Sequence, residues 1–217
     1  MADEPTPERL AAWAEIRELR QRIHALDDDA LDLVFRQART HYAWTDRPVG
    51  RGTLERLYAT IRNLPTATNG SPGRFVFVTT REAKDRLLPA VSPSNRPKVD
   101  AAPVTVIVAY DETFWTRLAT LHPHKDQSER FRSDPEKARA DSLCNGTLQG
   151  AYLLLAARAL GLDTGPMSGF SNAAVDAEFF AGTAIRSNFL MNIGYADERG
   201  IFPRLPRLSF EEACSIL

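Results

Sequence analysis

Apolar and polar positions alternate with different periods along the chain, and the change of period marks out the elements. Leu10, Trp13, Ile16, Leu19 and Ile23 recur at helical spacing behind Thr6-Pro7-Glu8, a hydroxyl cap followed by proline and an acid. Three aspartates at 27–29 interrupt that stripe. A second helix is expected over residues 30–38, facing inward with Leu31, Val34, Phe35 and Ala38. Leu54, Leu57, Tyr58 and Ile61 predict a third helix, capped by Thr53 but without a capping box, because Arg56 stands where Glu or Gln would be needed. Residues 63–73 (NLPTATNGSPG) have no period and read as a loop.

The period then shortens. Residues 75–79 predict a strand, 81–88 a short helix, and 103–110 (PVTVIVAY) a buried central strand, β-branched on both faces. Residues 111–135 mix Phe114, Trp115 and Phe131 with a charged run and are expected to form helix plus flexible lid. Asp134-Pro135-Glu136 opens the longest helix, which stops near Leu160-Gly161 and whose second half is apolar almost all round. Residues 165–170 (GPMSGF) are expected as a tight loop, 174–181 as a short helix, 187–195 as a strand, and 201–207 (IFPRLPR) as extended, proline-punctuated chain. No regular strand-helix-strand repeat is visible, which points to an α+β sandwich.

Composition narrows the function. The chain has 217 residues, 43% of them hydrophobic, enough to bury a core without cross-links. Its 27 basic and 28 acidic residues leave a formal charge of −1, which attracts neither nucleic acid nor an anionic membrane non-specifically. Two cysteines, Cys144 and Cys214, show no zinc or disulfide spacing, and the opening MADEPTPERL contains no apolar leader, so a soluble cytoplasmic protein is expected. GxGxxG, GxxxxGK[ST], HExxH and GxSxG are all absent. His122 and His124 read as a loop pair in preference to a metal site.

Three separated segments carry chemistry. Arg39-Thr40-His41 offers a guanidinium, a hydroxyl and an imidazole to an anion. The loop around Thr66, Thr68 and Asn69 has small side chains that let backbone approach a flat ligand. Pro166, Met167, Ser168 and Gly169 form a glycine-lined stretch, and Arg204 and Arg207 could complete a phosphate site. Each is weak alone, and the bland readings are a solvated helix end and ordinary turns.

In this order the segments resemble the FMN-dependent nitroreductase family. The stretches ARTHYAW, PTATNGSP, LHPH, GLDTGPMSGF, FFAG, NIGY and RLPRLSFEEAC are closest to its malonic semialdehyde reductase branch, in the Rut pathway of pyrimidine degradation. The resemblance covers residues 26–217 and leaves 1–25 as a helical extension. It implies a nitroreductase-like mixed sheet flanked by helices, an intertwined homodimer through the long helix, and FMN at the subunit interface with NADPH or NADH as hydride donor. Carried over by position, Arg39, Thr40 and His41 would meet the flavin phosphate, and Thr66, Thr68 and Asn69 would reach the flavin from the partner subunit. Residues 166–169 would face the N5 edge, and Arg204 and Arg207 would clamp the phosphate. One departure is Tyr42-Ala43, where the family has a second basic residue, so either the clamp relies more on Arg204 and Arg207 or flavin binds more weakly. The implied acceptor is a small aldehyde acid, or alternatively a nitroaromatic or quinone. His122, His124, Arg96 and Arg132 are candidates for contacting its carboxylate or developing alkoxide.

Overall fold

A computed structural model describes residues 4–217. The chain divides into two compact units, one ending at Ala38 and one spanning Arg39–Leu217. The first holds α1 (Pro7–Arg22), whose Thr6 cap accepts from the Arg9 amide as the sequence implies. None of its residues is buried, and its apolar stripe lies exposed. α2 (Asp28–Leu31) starts two residues before the expected Ala30 because the Asp27 carboxylate accepts from the Ala30 amide at 2.8 Å. It runs on into a π-helical turn, Asp32–Arg36, where Arg36 pairs with Asp28 and Asp32, each at 2.7 Å.

The second unit begins its helices with α3 (Arg51–Ile61), which buries Leu54, Leu57 and Ile61. Its cap is Gly50 and not Thr53, which lies inside the first turn. β1 (Gly73–Val78) is followed by α4 (Arg81–Leu87) and α5 (Arg96–Ala101). β2 (Val104–Asp111) leads through α6 (Leu118–Leu121) and α7 (Ser128–Arg132) to α8 (Pro135–Ala159). β3 (Asp163–Met167), α9 (Asn172–Phe179), β4 (Ile185–Gly194) and the short α10 (Phe210–Ala213) complete the chain.

The strands form one sheet in the order β1-β2-β4-β3, with every pair antiparallel. The register is fixed by the row Val76, Ile107, Leu190 and Met167. Among the described residues, parallel pairing enters only as an isolated bridge from Thr40 to Thr164. β2 is buried on both faces, as its β-branched run predicts. Val104, Val106 and Val108 meet Leu54, Leu57, Leu153 and Ala157 of α3 and α8. Ile107 and Ala109 meet Leu87, Val99 and Val175 of α4, α5 and α9. The architecture is therefore a helix-sheet-helix α+β sandwich.

Two expectations are corrected here. The stretch expected as a tight loop at 165–170 is strand as far as Met167, and the turn begins only at Ser168. Proline obscured the strand. Pro166 is tolerated because β3 is an edge. Residues 111–135 are not a free lid. Phe114, Leu118 and Phe131 are buried with Ala138 in a small core of their own, with the Phe114 and Phe131 rings edge to face at 4.9 Å.

α8 can lie close on the sheet because of two glycines. A Cβ at Gly146 would stand 2.6 Å from Tyr110 Cβ, and one at Gly150 would stand 2.8 Å from Phe189 and Val108. Alanine is the better helix former by about 1 kcal/mol. Even so, Gly146→Ala is expected to lower unfolding free energy by about 1–3 kcal/mol through overpacking. Urea denaturation measures this, and an unchanged or raised midpoint would refute the close-contact argument.

Candidate functional site

The first cluster forms where residues 39–45 run beside the ends of β3 and β4. The His41 amide donates to the Thr164 carbonyl at 3.1 Å and the Thr45 amide donates to the Tyr195 carbonyl at 2.8 Å. The approach is so close that a Cβ on Gly165 would sit 2.6 Å from the His41 carbonyl oxygen. This brings Arg39, Thr40 and His41 to the strand that carries Pro166 and Met167. Four polar atoms along it are buried without a partner: Arg39 Nη1, His41 Nδ1, Trp44 Nε1 and Thr164 Oγ1. Buried polar groups rarely stay unpaired, so their concentration here marks a place built for a polar ligand.

Charge surrounds these atoms. Asp163 lies 3.2 Å from His41 Nε2 and accepts from the Ala196 amide at 2.9 Å. Burial pushes the His41 pKa below its ordinary value, the Arg158 and Arg39 charges push the same way, and Asp163 opposes them. Burial likewise lowers the Arg158 pKa, against the pull of Asp163. The sequence reading missed Arg158, Asp163 and Thr164. The LGLDTG stretch was not read as strand, and nothing in it showed that its side chains face residue 41.

The rest of the third segment packs against α5 and its approach. The Gly169 carbonyl accepts from the Ser92 amide at 3.0 Å and from Asn95 Nδ2 at 3.3 Å. Arg96 stands next in the chain, but its Nε donates to the Val91 carbonyl at 2.9 Å, which ties it to the fold. Lys98, a further residue that carried no sequence signal, has Nζ 3.0 Å from Asn95 Oδ1 and 4.5 Å from the Tyr42 ring centroid. A cation therefore stands beside the 39–44 segment where Tyr42-Ala43 had removed one from the chain itself.

The Thr66, Thr68 and Asn69 loop lies elsewhere. It leads into β1, and β1 and β3 are opposite edges of the sheet. Three inter-strand steps separate them, roughly 14 Å. Thr68, Asn69 and Ser71 have φ of 54°, 53° and 43°. Such left-handed backbone costs non-glycine residues about 1–2 kcal/mol each and persists only where the surroundings enforce it. Asn69 Nδ2 donates to the Leu121 carbonyl at 2.7 Å, so His122 is held next to this loop. His122 Nδ1 lies 2.8 Å from the Lys125 carbonyl, and Arg132 pairs with Glu129.

The tail leaves the body of the unit. Phe202 rests on Tyr42 with ring centroids 5.6 Å apart, and residues 201–217 are all exposed. Arg207 turns back onto the Leu205 and Pro206 carbonyls at 3.0 and 2.9 Å. The structure thus joins Arg39, Thr40 and His41 with residues 166–169, and joins Asn69 with His122. It leaves the second group and Arg207 apart from the first. Among the described residues, no three His, Cys, Asp or Glu side chains gather as metal ligands, and no helix is long and apolar enough to cross a membrane.

The profile of the Nitroreductase family matches residues 35–195. A relative from Stenotrophomonas maltophilia, provisionally named NADH dehydrogenase/NAD(P)H nitroreductase, is 56% identical over 193 residues, covering 89% of this chain and 98% of its own. One of the same provisional name from Xanthomonas oryzae is 57% identical over 190 residues, covering 87% and 96%. The crystal structure of a provisionally named nitroreductase in complex with FMN from Exiguobacterium sibiricum superimposes with a TM-score of 0.77 at 19% identity, covering 89% of this chain and 98% of its own. An enone reductase of gut-bacterial fatty acid saturation superimposes at 0.76 with 22% identity, covering 89% and 100%. The chain belongs to the nitroreductase family.

The buried imidazole gives a pH expectation. With the folded pKa of His41 below 6.5, the unfolded chain binds a proton that the folded protein refuses. Stability is therefore greatest above pH 6.5 and falls as the pH drops from there toward the folded value. His41→Gln should flatten that part of a thermal-melt profile taken against pH. A profile as steep as that of the parent protein would show that His41 is not its source.

Proposed function

We propose that the protein is an FMN-dependent oxidoreductase that takes hydride from NADH or NADPH and works as a homodimer. The observation that carries this is the set of partnerless buried atoms on Arg39, His41 and Thr164. A phosphate fits that donor set, because an arginine fork and a hydroxyl both donate to phosphate oxygens. Arg39, Thr40, His41 and Thr164 would hold the phosphate, with Arg204 and Arg207 from a tail. Pro166, Met167, Ser168 and Gly169 would line the ring. Bound FMN would supply the hydride chemistry.

The dimer reading rests on the separation of the two groups. Asn69, Thr66 and Thr68 sit at the far edge of the sheet, so one chain offers two halves of a site, and a second copy would bring the halves together. The exposed tail, with Phe202, Leu205, Leu208 and Phe210 all uncovered, supports the same arrangement. α1 buries nothing, so residues 1–25 are read as an addition to the flavin domain at 26–217. Removing them should leave FMN affinity unchanged, and loss of flavin from the truncated protein would contradict that division. Free Cys144 and Cys214 suit a reducing cytoplasm.

For the acceptor, malonic semialdehyde is favoured by the stretches that resemble the semialdehyde reductase branch. Hydride would go to its carbonyl carbon and a proton to the oxygen, giving 3-hydroxypropionate. His122 is the better placed of the proton donors. If Nδ1–H serves the Lys125 carbonyl, Nε2 would take a proton from water and pass it to the product oxygen. Arg96 and Arg132 already have partners, and His124 remains a candidate beside His122. The second reading is reduction of nitroaromatics or quinones, supported by the names of the relatives.

An anaerobic titration tests both. Purified protein is expected to be yellow, to bleach with NADPH or NADH, and to recover its colour with malonic semialdehyde. Recovery with nitroaromatics or quinones alone would move the substrate to the second reading. Arg39→Ala should weaken FMN binding by about 10–100-fold, the loss of a charged hydrogen bond. Protein that takes up no FMN would overturn the proposal.

A further inference from the structure

One face of α8 carries three polar side chains at i, i+4 and i+7 that all reach into the loop holding Asn69. Asn145 Oδ1 accepts from the Ala67 amide at 2.8 Å, while its Nδ2 donates to the Asp141 carbonyl at 2.8 Å. One partner is a donor and the other an acceptor, so the orientation of this amide is determined. Gln149 Oε1 accepts from the Gly73 amide at 2.7 Å. Residue 73 must be glycine for that reach, because a Cβ there would stand 2.8 Å from Gln149 Oε1. Tyr152 donates its hydroxyl hydrogen to the Pro65 carbonyl at 3.2 Å. Within the loop, the Ser71 amide donates to Thr66 Oγ1 at 3.1 Å. Above it, Gly70 lies against the Phe114 ring, which a Cβ would approach to 2.7 Å.

We infer that Asn145, Gln149 and Tyr152 are positioning residues that clamp residues 65–73 into the left-handed shape that presents Asn69 and Thr66 to the flavin. The inference rests on the flavin reading proposed above and extends it to the rigid element behind the loop. Left-handed φ at Thr68, Asn69 and Ser71 needs an external restraint, since the relaxed chain avoids it. The helix supplies that restraint at both ends of the loop. Gln149 is buried, so its oxygen is held in place before any ligand arrives. The stripe leaves the neighbouring face of the same helix, with Leu143 and Leu148 exposed, free for a second chain.

The test measures FMN affinity of the full-length apoprotein by flavin fluorescence quenching, beside the thermal melt. Asn145→Ala should raise the FMN Kd by about tenfold, equivalent to one net hydrogen bond. Asn145→Asp keeps an oxygen for the Ala67 amide but sets its other oxygen against the Asp141 carbonyl, and should recover only part of that loss. Tyr152→Phe should weaken binding several-fold while folding normally. An unchanged Kd in Asn145→Ala overturns the clamp. If Asn145→Ala does not fold, an unchanged Kd in Tyr152→Phe overturns it instead. Amide hydrogen exchange on the unaltered apoprotein gives an arm that needs no flavin. Slow exchange at Ala67 and Gly73 supports the clamp, and fast exchange at both overturns it. Unaltered protein that binds no FMN refutes the flavin reading and leaves the clamp to be judged by exchange alone.

Discussion

The contact between the His41 carbonyl and Gly165 is the constraint on which the first polar cluster depends. Two backbones meet there with no side chain between them. That closeness lets Thr40 and Thr164 bridge and turns His41 toward Asp163. It also places the Arg39 guanidinium in a buried strip. Any larger residue at 165 would push the 39–45 segment off the sheet edge, and the buried polar atoms along it would open to water. Proline at 166 belongs to the same logic. It withholds a donor from an edge strand that already has a neighbour at one end, and so discourages further strand addition there.

The second group depends on a different rigid body. α8 lies against β2 and β4 through Gly146 and Gly150, and its polar stripe reaches the residue 65–73 loop. One helix thereby sets the height of the sheet and the shape of a distant loop. The small core of Phe114, Leu118 and Phe131 completes the enclosure, since Leu121 accepts from Asn69 just beyond it. A segment that reads as mobile because it is rich in charge is held by three apolar residues that the charge conceals.

What the sequence made legible follows from which signals are periodic. β2 announced itself because a strand buried on both faces is β-branched and almost wholly apolar. α8 was plain from its cap and its length. Gly50 as a cap left no trace, since glycine caps by lacking a side chain. β3 was hidden because Pro166 speaks against strand wherever the edge position is unknown. Arg39, His41 and Asn69 were singled out for their side-chain chemistry and given roles by a resemblance, not by spacing. Arg158, Asp163 and Lys98 lie around the first group and Asn145 beside the second, but all come from elements whose facing directions only the folded chain decides. Long-range side-chain geometry has no period to read.

The placement of the two groups on opposite sheet edges has a genetic consequence. In the proposed assembly each site draws Arg39 from one chain and Asn69 from the other. A subunit damaged at Arg39 and one damaged at Asn69 would each be defective alone. Paired in one heterodimer, they would make one site with both defects and one with neither. Two inactive alleles of this gene, carried together, would then complement each other.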